Sequence, residues 1–144
     1  VTNQSVVARG ALSEAGLEKI HAEIVHRLAQ DDARLDAIYY CPHHPTEGLG
    51  EYRVVCDCRK PKTGMIRRAA AELHVDPTLS YVVGDQLTDM ELARAVGATG
   101  ILVGRDEAAA GAGLTEKFLS IVDLNAAASW IVEQSRLSQQ GCES

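Results

Sequence analysis

The sequence predicts an α/β fold, a Rossmann-like parallel sheet with helices on both faces. Three observations carry this expectation. Stretches with apolar residues at helical spacing alternate with short apolar runs along the chain. That β–α alternation is the pattern of parallel strands joined by helices. The residues able to do chemistry fall just after the short runs, at the carboxyl ends of strands, where such sheets bind their ligands.

Each element has its own signal. Thr2-Asn3-Gln4-Ser5 follows what reads as the stub of a truncated strand. Leu17, Ile20, Ile24, Val25 and Leu28 recur at helical spacing, which predicts an amphipathic helix over residues 12–30. Leu35 to Tyr40 reads as a buried strand ending at Cys41. Met65, Ile66, Ala69, Ala70 and Leu73 mark a second helix, stopped by Asp76-Pro77. Tyr81-Val82-Val83 is a short strand that ends in Gly84-Asp85. Thr88 and Glu91 stand three apart like a capping box opening a third helix, and Gly97 suits its C-terminal end. Ile101-Leu102-Val103 and Ser120 to Leu124 read as further strands, and Asn125 to Leu137 as a last helix. The final residues, rich in Ser and Gln, are expected to fray.

Composition frames these elements as one domain over 1–144. The chain has 144 residues, 46% hydrophobic and 24% charged, with a formal net charge of −6, which fits a soluble globular protein able to bury a core. The acidic balance argues against nucleic acid as a partner, and no apolar run approaches a membrane span. No repeat and no secretory signal is visible. Reduced cysteines then point to the cytoplasm.

The most constraining motif is C-x-H…C-x-C, formed by Cys41, His43, Cys56 and Cys58. Three thiolates and an imidazole make the closed tetrahedral set that Zn²⁺ adopts in structural sites, so 41–58 is read as a zinc-binding loop. A disulfide pair is the competing reading, and His44 is an alternative ligand to His43; Pro42 and Pro45 stiffen the loop and favour one fixed choice. Cys142 has no nearby partner and reads as a free thiol. Directly after the cluster come Arg59 and Lys60, adjacent cations suited to gripping a phosphorylated substrate. Asp85, with Asp89 four residues later, offers carboxylate oxygen to a hard cation such as Mg²⁺, although an Asp in this position also caps helices. Topology would gather Thr2, Arg59, Lys60 and Asp85 on one rim.

Several stretches together resemble the haloacid dehalogenase (HAD) superfamily: VTNQS at 1–5 with Ala8-Arg9-Gly10, Tyr39 to Pro45, Cys56 to Pro61, Gly64-Met65, and Val83-Gly84-Asp85 with Asp89. Within it the chain is similar to the heptose bisphosphate phosphatase branch, and the zinc loop is the most specific part of the likeness. The thirteen-position step from His43 to Cys56 favours that branch over the histidinol-phosphate branch, whose loop is shorter. The resemblance implies a Mg²⁺-dependent phosphatase of HAD-like fold that removes the 7-phosphate of a small-molecule heptose 1,7-bisphosphate through an aspartyl-phosphate, a step toward nucleotide-activated heptose and lipopolysaccharide core. It also implies residue roles. Thr2 would donate its hydroxyl to the transferring phosphoryl group and Lys60 would neutralise it. Asp85 would help hold Mg²⁺, while Asn3, Gln4, Arg9 and Arg59 would contact the substrate or its second phosphate.

One departure from the family pattern matters more than these matches. The D-x-D-G-T motif that supplies the nucleophile and the acid/base lies upstream of the TNQS segment in the family, yet this chain has no Asp before Asp31. Asp31-Asp32 closes a helix and cannot stand in. Three readings follow: part of a complete phosphatase whose N-terminal segment lies elsewhere, a remnant that binds phosphate and zinc without turnover, or a zinc-stabilised interaction module. A sheet without its central strand would expose unpaired edges, so residues 1–144 alone are expected to self-associate.

Overall fold

The computed structural model describes residues 1–104 and 118–140, the side chains of 138–140 excepted. Cys142 lies outside the described residues. The chain divides into two compact units, Val1–Val75 and Asp76–Ser144. The fold is α/β, and every described strand pair is parallel.

In the first unit, strand β1 (Thr2–Asn3) leads through the short helix α1 (Ser5–Ala8) to α2 (Glu14–Gln30), strand β2 (Tyr40–Cys41), a 3₁₀ turn at Gly50–Tyr52 and helix α3 (Gly64–Leu73). Ser13 starts α2 by accepting the Gly16 N–H on its hydroxyl at 3.1 Å, which satisfies one of the orphan donors of the first turn. Glu14 in the first turn and Arg27 in the last complement the helix dipole. Of the expected apolar stripe, Leu17 is buried while Ile20, Ile24 and Val25 are exposed.

The predicted strand 35–40 is shorter in the structure. Among the described residues β2 pairs with β1 alone, in the register Thr2↔Tyr40 and Asn3↔Cys41, and residues 35–38 have no partner strand and stay irregular. Thr2 belongs to β1 itself. Helix α3 buries Met65 against Tyr39 and Cys41, with Cys56, Cys58 and Ala69 packed around them. It ends at His74 in the left-handed conformation, φ 54°.

The second unit holds strand β3 (Tyr81–Gly84), helix α4 (Leu87–Val96), β4 (Thr99–Val103), β5 (Phe118–Ile121) and helix α5 (Leu124–Gln140), with strand order β3-β4-β5. Side chains alternate across a strand, which separates the two faces. Val82, Gly100 and Phe118 are in register on one face; a Cβ added at Gly100 would lie 3.1 Å from the Met90 sulfur and 3.3 Å from the Ala93 methyl, so α4 covers this side closely. Tyr81 points the other way and meets Trp130 of α5 edge-on, ring centroids 6.0 Å apart. Helices therefore cover both faces. Leu92, Ile101 and Leu102 are almost wholly buried and form the centre of this unit.

The capping box of α4 is not the expected pair Thr88 and Glu91. Gln86 is the N-cap and Asp89 its partner, with Asp89 Oδ2 accepting the Gln86 N–H at 3.2 Å. The helix starts earlier because Asp89 is buried and turns inward, and the amide of Gln86 serves as a cap like Asn. Gly97 closes α4 at φ 76°, as expected. β5 begins earlier than the predicted 120–124 and stops sooner, since Asp123 accepts the Ala126 N–H at 2.8 Å and opens α5. No described helix is long and apolar enough to cross a membrane.

Candidate metal centre and its flanking cations

β2 ends at Cys41, which is fully buried and so enters the loop at a fixed point. His43 follows two residues later. The loop then folds back on itself: Leu49 N–H donates to the Ala8 carbonyl at 2.8 Å, His44 N–H to the Tyr52 carbonyl at 3.0 Å, and Gly48 packs so closely that an added Cβ would lie 2.6 Å from the Arg53 Cα. This return brings Cys56 and Cys58 beside Cys41.

The four donor atoms all lie within 4.8 Å of one another. Sulfur–sulfur separations are 3.5 Å for Cys41–Cys56, 3.1 Å for Cys41–Cys58 and 3.2 Å for Cys56–Cys58, and His43 Nδ1 is 3.7 Å from Cys41 and 3.4 Å from Cys58. The centre of a tetrahedron with such edges is about 2.1 Å from each corner, the range of Zn–N and Zn–S bonds. All three cysteines are free thiols, too far apart for a disulfide. His44 is not a member of the set, because its Nδ1 accepts the Glu47 N–H at 2.9 Å. The donor set fits a zinc ion.

Electrostatics points the same way. Burial raises the Cys41 thiol, and burial together with the two neighbouring sulfurs raises Cys58. Burial also pushes Cys56 up, but hydrogen bonds from Cys58, the Arg59 backbone, Cys41 and His43 outweigh it and bring that thiol down to about 7. Packed thiols cannot all ionise side by side without a cation among them.

The flanking cations organise backbone. Arg59 Nη1 donates to the His43 carbonyl at 3.0 Å, and Lys62 Nζ to the Cys56 carbonyl at 2.7 Å. Lys60 Nζ donates to the Val1 carbonyl at 3.2 Å, at the start of β1. The Asn3 side chain bonds both the N–H and the carbonyl of Lys60, so Lys60 is fixed to the strand that carries Thr2. Gln4 Nε2 donates to Thr2 Oγ1 at 3.0 Å. Arg9, just after α1, reaches the loop from outside: its guanidinium pairs with Glu47 at 2.6 Å, both side chains half exposed.

In the second unit, Asp85 is exposed immediately after Gly84 at the carboxyl end of β3. Asp89 is buried, and its carboxylate lies so close to Gly84 that a Cβ there would fall 2.6 Å from the Asp89 Cβ. Sequence reasoning missed Glu14, whose carboxylate receives the hydroxyls of Tyr40 and Tyr52. The only signal for it was its place after the helix-starting Ser13.

A HAD-hydrolase-like family model matches residues 57–124. A D-glycero-beta-D-manno-heptose-1,7-bisphosphate 7-phosphatase of Haemophilus influenzae is 46% identical over 130 residues, covering 86% of this chain and 69% of that protein. The chain belongs to the HAD-like hydrolase family. The protein of the same name from Salmonella typhi is 52% identical over 95 residues, 66% of this chain and 50% of that protein, so the chain spans about half the length of such relatives. Among solved structures, a D,D-heptose 1.7-bisphosphate phosphatase from B. bronchiseptica, complexed with magnesium and phosphate, is similar with a TM-score of 0.78 at 36% identity. That match covers 92% of this chain and 72% of the other.

Proposed function

We propose that this chain forms the zinc-loop and phosphate-gripping part of a Mg²⁺-dependent phosphatase that removes the 7-phosphate of D-glycero-D-manno-heptose 1,7-bisphosphate, in the cytoplasm, where thiols stay reduced. The observation that supports this reading is the attachment of the Lys60 backbone to β1 by Asn3, with the Lys60 ammonium on the carbonyl of Val1, the residue before Thr2. Named relatives that act on this sugar phosphate support the substrate.

In this reading Thr2 Oγ1, already accepting from Gln4, keeps its own proton to donate to a phosphoryl oxygen. Lys60 neutralises charge that grows on the transferring group, and being fixed beforehand it needs little reorganisation. Arg59 is steadied by the His43 carbonyl and directs the rest of its fork at substrate oxygens. Asn3 serves through Lys60, Gln4 through Thr2, and Arg9 reaches a second phosphate once Glu47 releases it. Cys41, His43, Cys56 and Cys58 would hold zinc, which keeps the loop folded. Asp85 would hold Mg²⁺, whose charge offsets that of the phosphoryl oxygens when bound.

The chemistry also needs a carboxylate nucleophile, and no residue named above supplies one. We therefore assign turnover to a protein in which an upstream D-x-D-G-T strand is joined to this chain, and self-association through unpaired strand edges to residues 1–144 alone. Phosphate release from the heptose bisphosphate and from histidinol phosphate, measured with Mg²⁺ on both proteins, tests this. Release from the heptose substrate by the longer protein only is expected. Preference for histidinol phosphate overturns the substrate, and turnover by the verified 144-residue chain overturns the need for the upstream strand.

A further inference from the structure

Glu14 lies outside the 41–58 loop, in the first turn of α2. Its Oε2 accepts the Tyr40 hydroxyl at 2.7 Å and its Oε1 accepts the Tyr52 hydroxyl at 2.8 Å. Tyr40 immediately precedes the ligand Cys41. Tyr52 ends the 3₁₀ turn, accepts the His44 N–H on its carbonyl at 3.0 Å, and has its ring 6.4 Å from the ring of the ligand His43. A single carboxylate thus holds the first arm of the loop at its root and at its return. Both of its oxygens are engaged by phenols that flank the ligands.

From this we propose that Glu14 is a positioning residue for the metal centre, holding residues 40–52 in their metal-binding shape although it is not itself a ligand. The physical reason is ordering. Without the clamp, the arm carrying Cys41 and His43 samples many shapes, and that freedom must be given up when the ion binds. With the clamp, part of the ordering is complete beforehand. Groups that orient metal ligands in this way commonly change affinity by about tenfold or more when removed. The inference rests on the cluster being a zinc site, the reading given above.

The test is zinc affinity of the full 144-residue chain, by competition with a chromophoric chelator, alongside the visible absorption of the Co²⁺-loaded form. Tyr52→Phe removes one hydroxyl and little else, so it remains informative if Glu14→Gln folds poorly. Tyr39→Phe is the control: it breaks a phenol–carboxylate bond of the same kind, to Glu72 at 2.8 Å, next to β2 but outside the loop. Expected are losses of about tenfold in zinc affinity for Tyr52→Phe and Glu14→Gln, little further loss in the double variant, an unchanged Co²⁺ band, and an unchanged affinity for Tyr39→Phe. Affinities of Tyr52→Phe and Glu14→Gln within about twofold of the wild type, or an equal loss in Tyr39→Phe, overturn the clamp. Failure of the wild-type chain to bind either metal overturns both the clamp and the zinc reading.

Discussion

The Asn3 carboxamide grips the Lys60 peptide from both sides, its Oδ1 accepting the Lys60 N–H at 2.9 Å and its Nδ2 donating to the Lys60 carbonyl at 3.3 Å, across 57 positions of sequence. No other residue can meet both needs with the same geometry, since Asp lacks the donor and Ala has neither group. Each bond contributes about 1 kcal/mol net, so in the longer protein proposed above Asn3→Ala should lower kcat on the order of tenfold, with zinc content unchanged. Asn3→Asp keeps one bond and should fall between. An unchanged kcat in Asn3→Ala means that the Lys60 ammonium is positioned by something else.

Three tyrosines should titrate late. The Glu14 carboxylate pushes Tyr40 up to about 12 and raises Tyr52, while Glu72 raises Tyr39. A folded value above the ordinary 10.0 means that the stabilisation is complete below pH 10 and disappears as pH climbs toward 12. The same bonds seen from Glu14, lowered chiefly by the Tyr40 hydroxyl, give stabilisation present above the ordinary 4.5 and lost as pH falls through the depressed value. Absorbance titration near the tyrosinate band checks this, and Tyr40→Phe should delete the latest-ionising component.

Gly84→Ala should destabilise the second unit by about 1–3 kcal/mol, because the new methyl collides with the buried Asp89 that caps α4. A lowered thermal midpoint is the expected result. A midpoint equal to wild type would mean that Asp89 moves aside freely.

Chelation should act locally at first. Hydrogen exchange in residues 41–58 should rise on metal removal while β3, β4 and β5 keep their protection, since among the described residues those strands form a sheet of their own. Simultaneous loss of protection in both places contradicts a loop-restricted role for the metal.

The helices were legible because their signals are local: the apolar spacing of α2 and α3 and Gly97 at the end of α4 need no knowledge of the rest of the chain. The Cys41, His43, Cys56 and Cys58 cluster was legible for the same reason, since its spacing is written in order along the sequence. The bond between Asn3 and Lys60 was not legible, because sequence names a side chain without its partner, and this partner is a backbone 57 positions away. Glu14 was invisible for a related reason: a carboxylate in a first helical turn ordinarily serves the dipole, and the two phenols arrive from other elements. The strand at 35–40 was overcalled because apolar content suggests a strand, while only a neighbour to pair with makes one.

Closeness of the three sulfurs, 3.1 to 3.5 Å, also makes the loop vulnerable when it is empty. A movement of about 1 Å suffices to join two of them at bonding distance. Once peroxide has oxidised one of these sulfurs to the sulfenic acid, a neighbouring thiol can attack it, forming the S–S bond and releasing water. The resulting crosslink would take two of the four donors out of use together. Reloading such a sample then calls for a reductant before the ion.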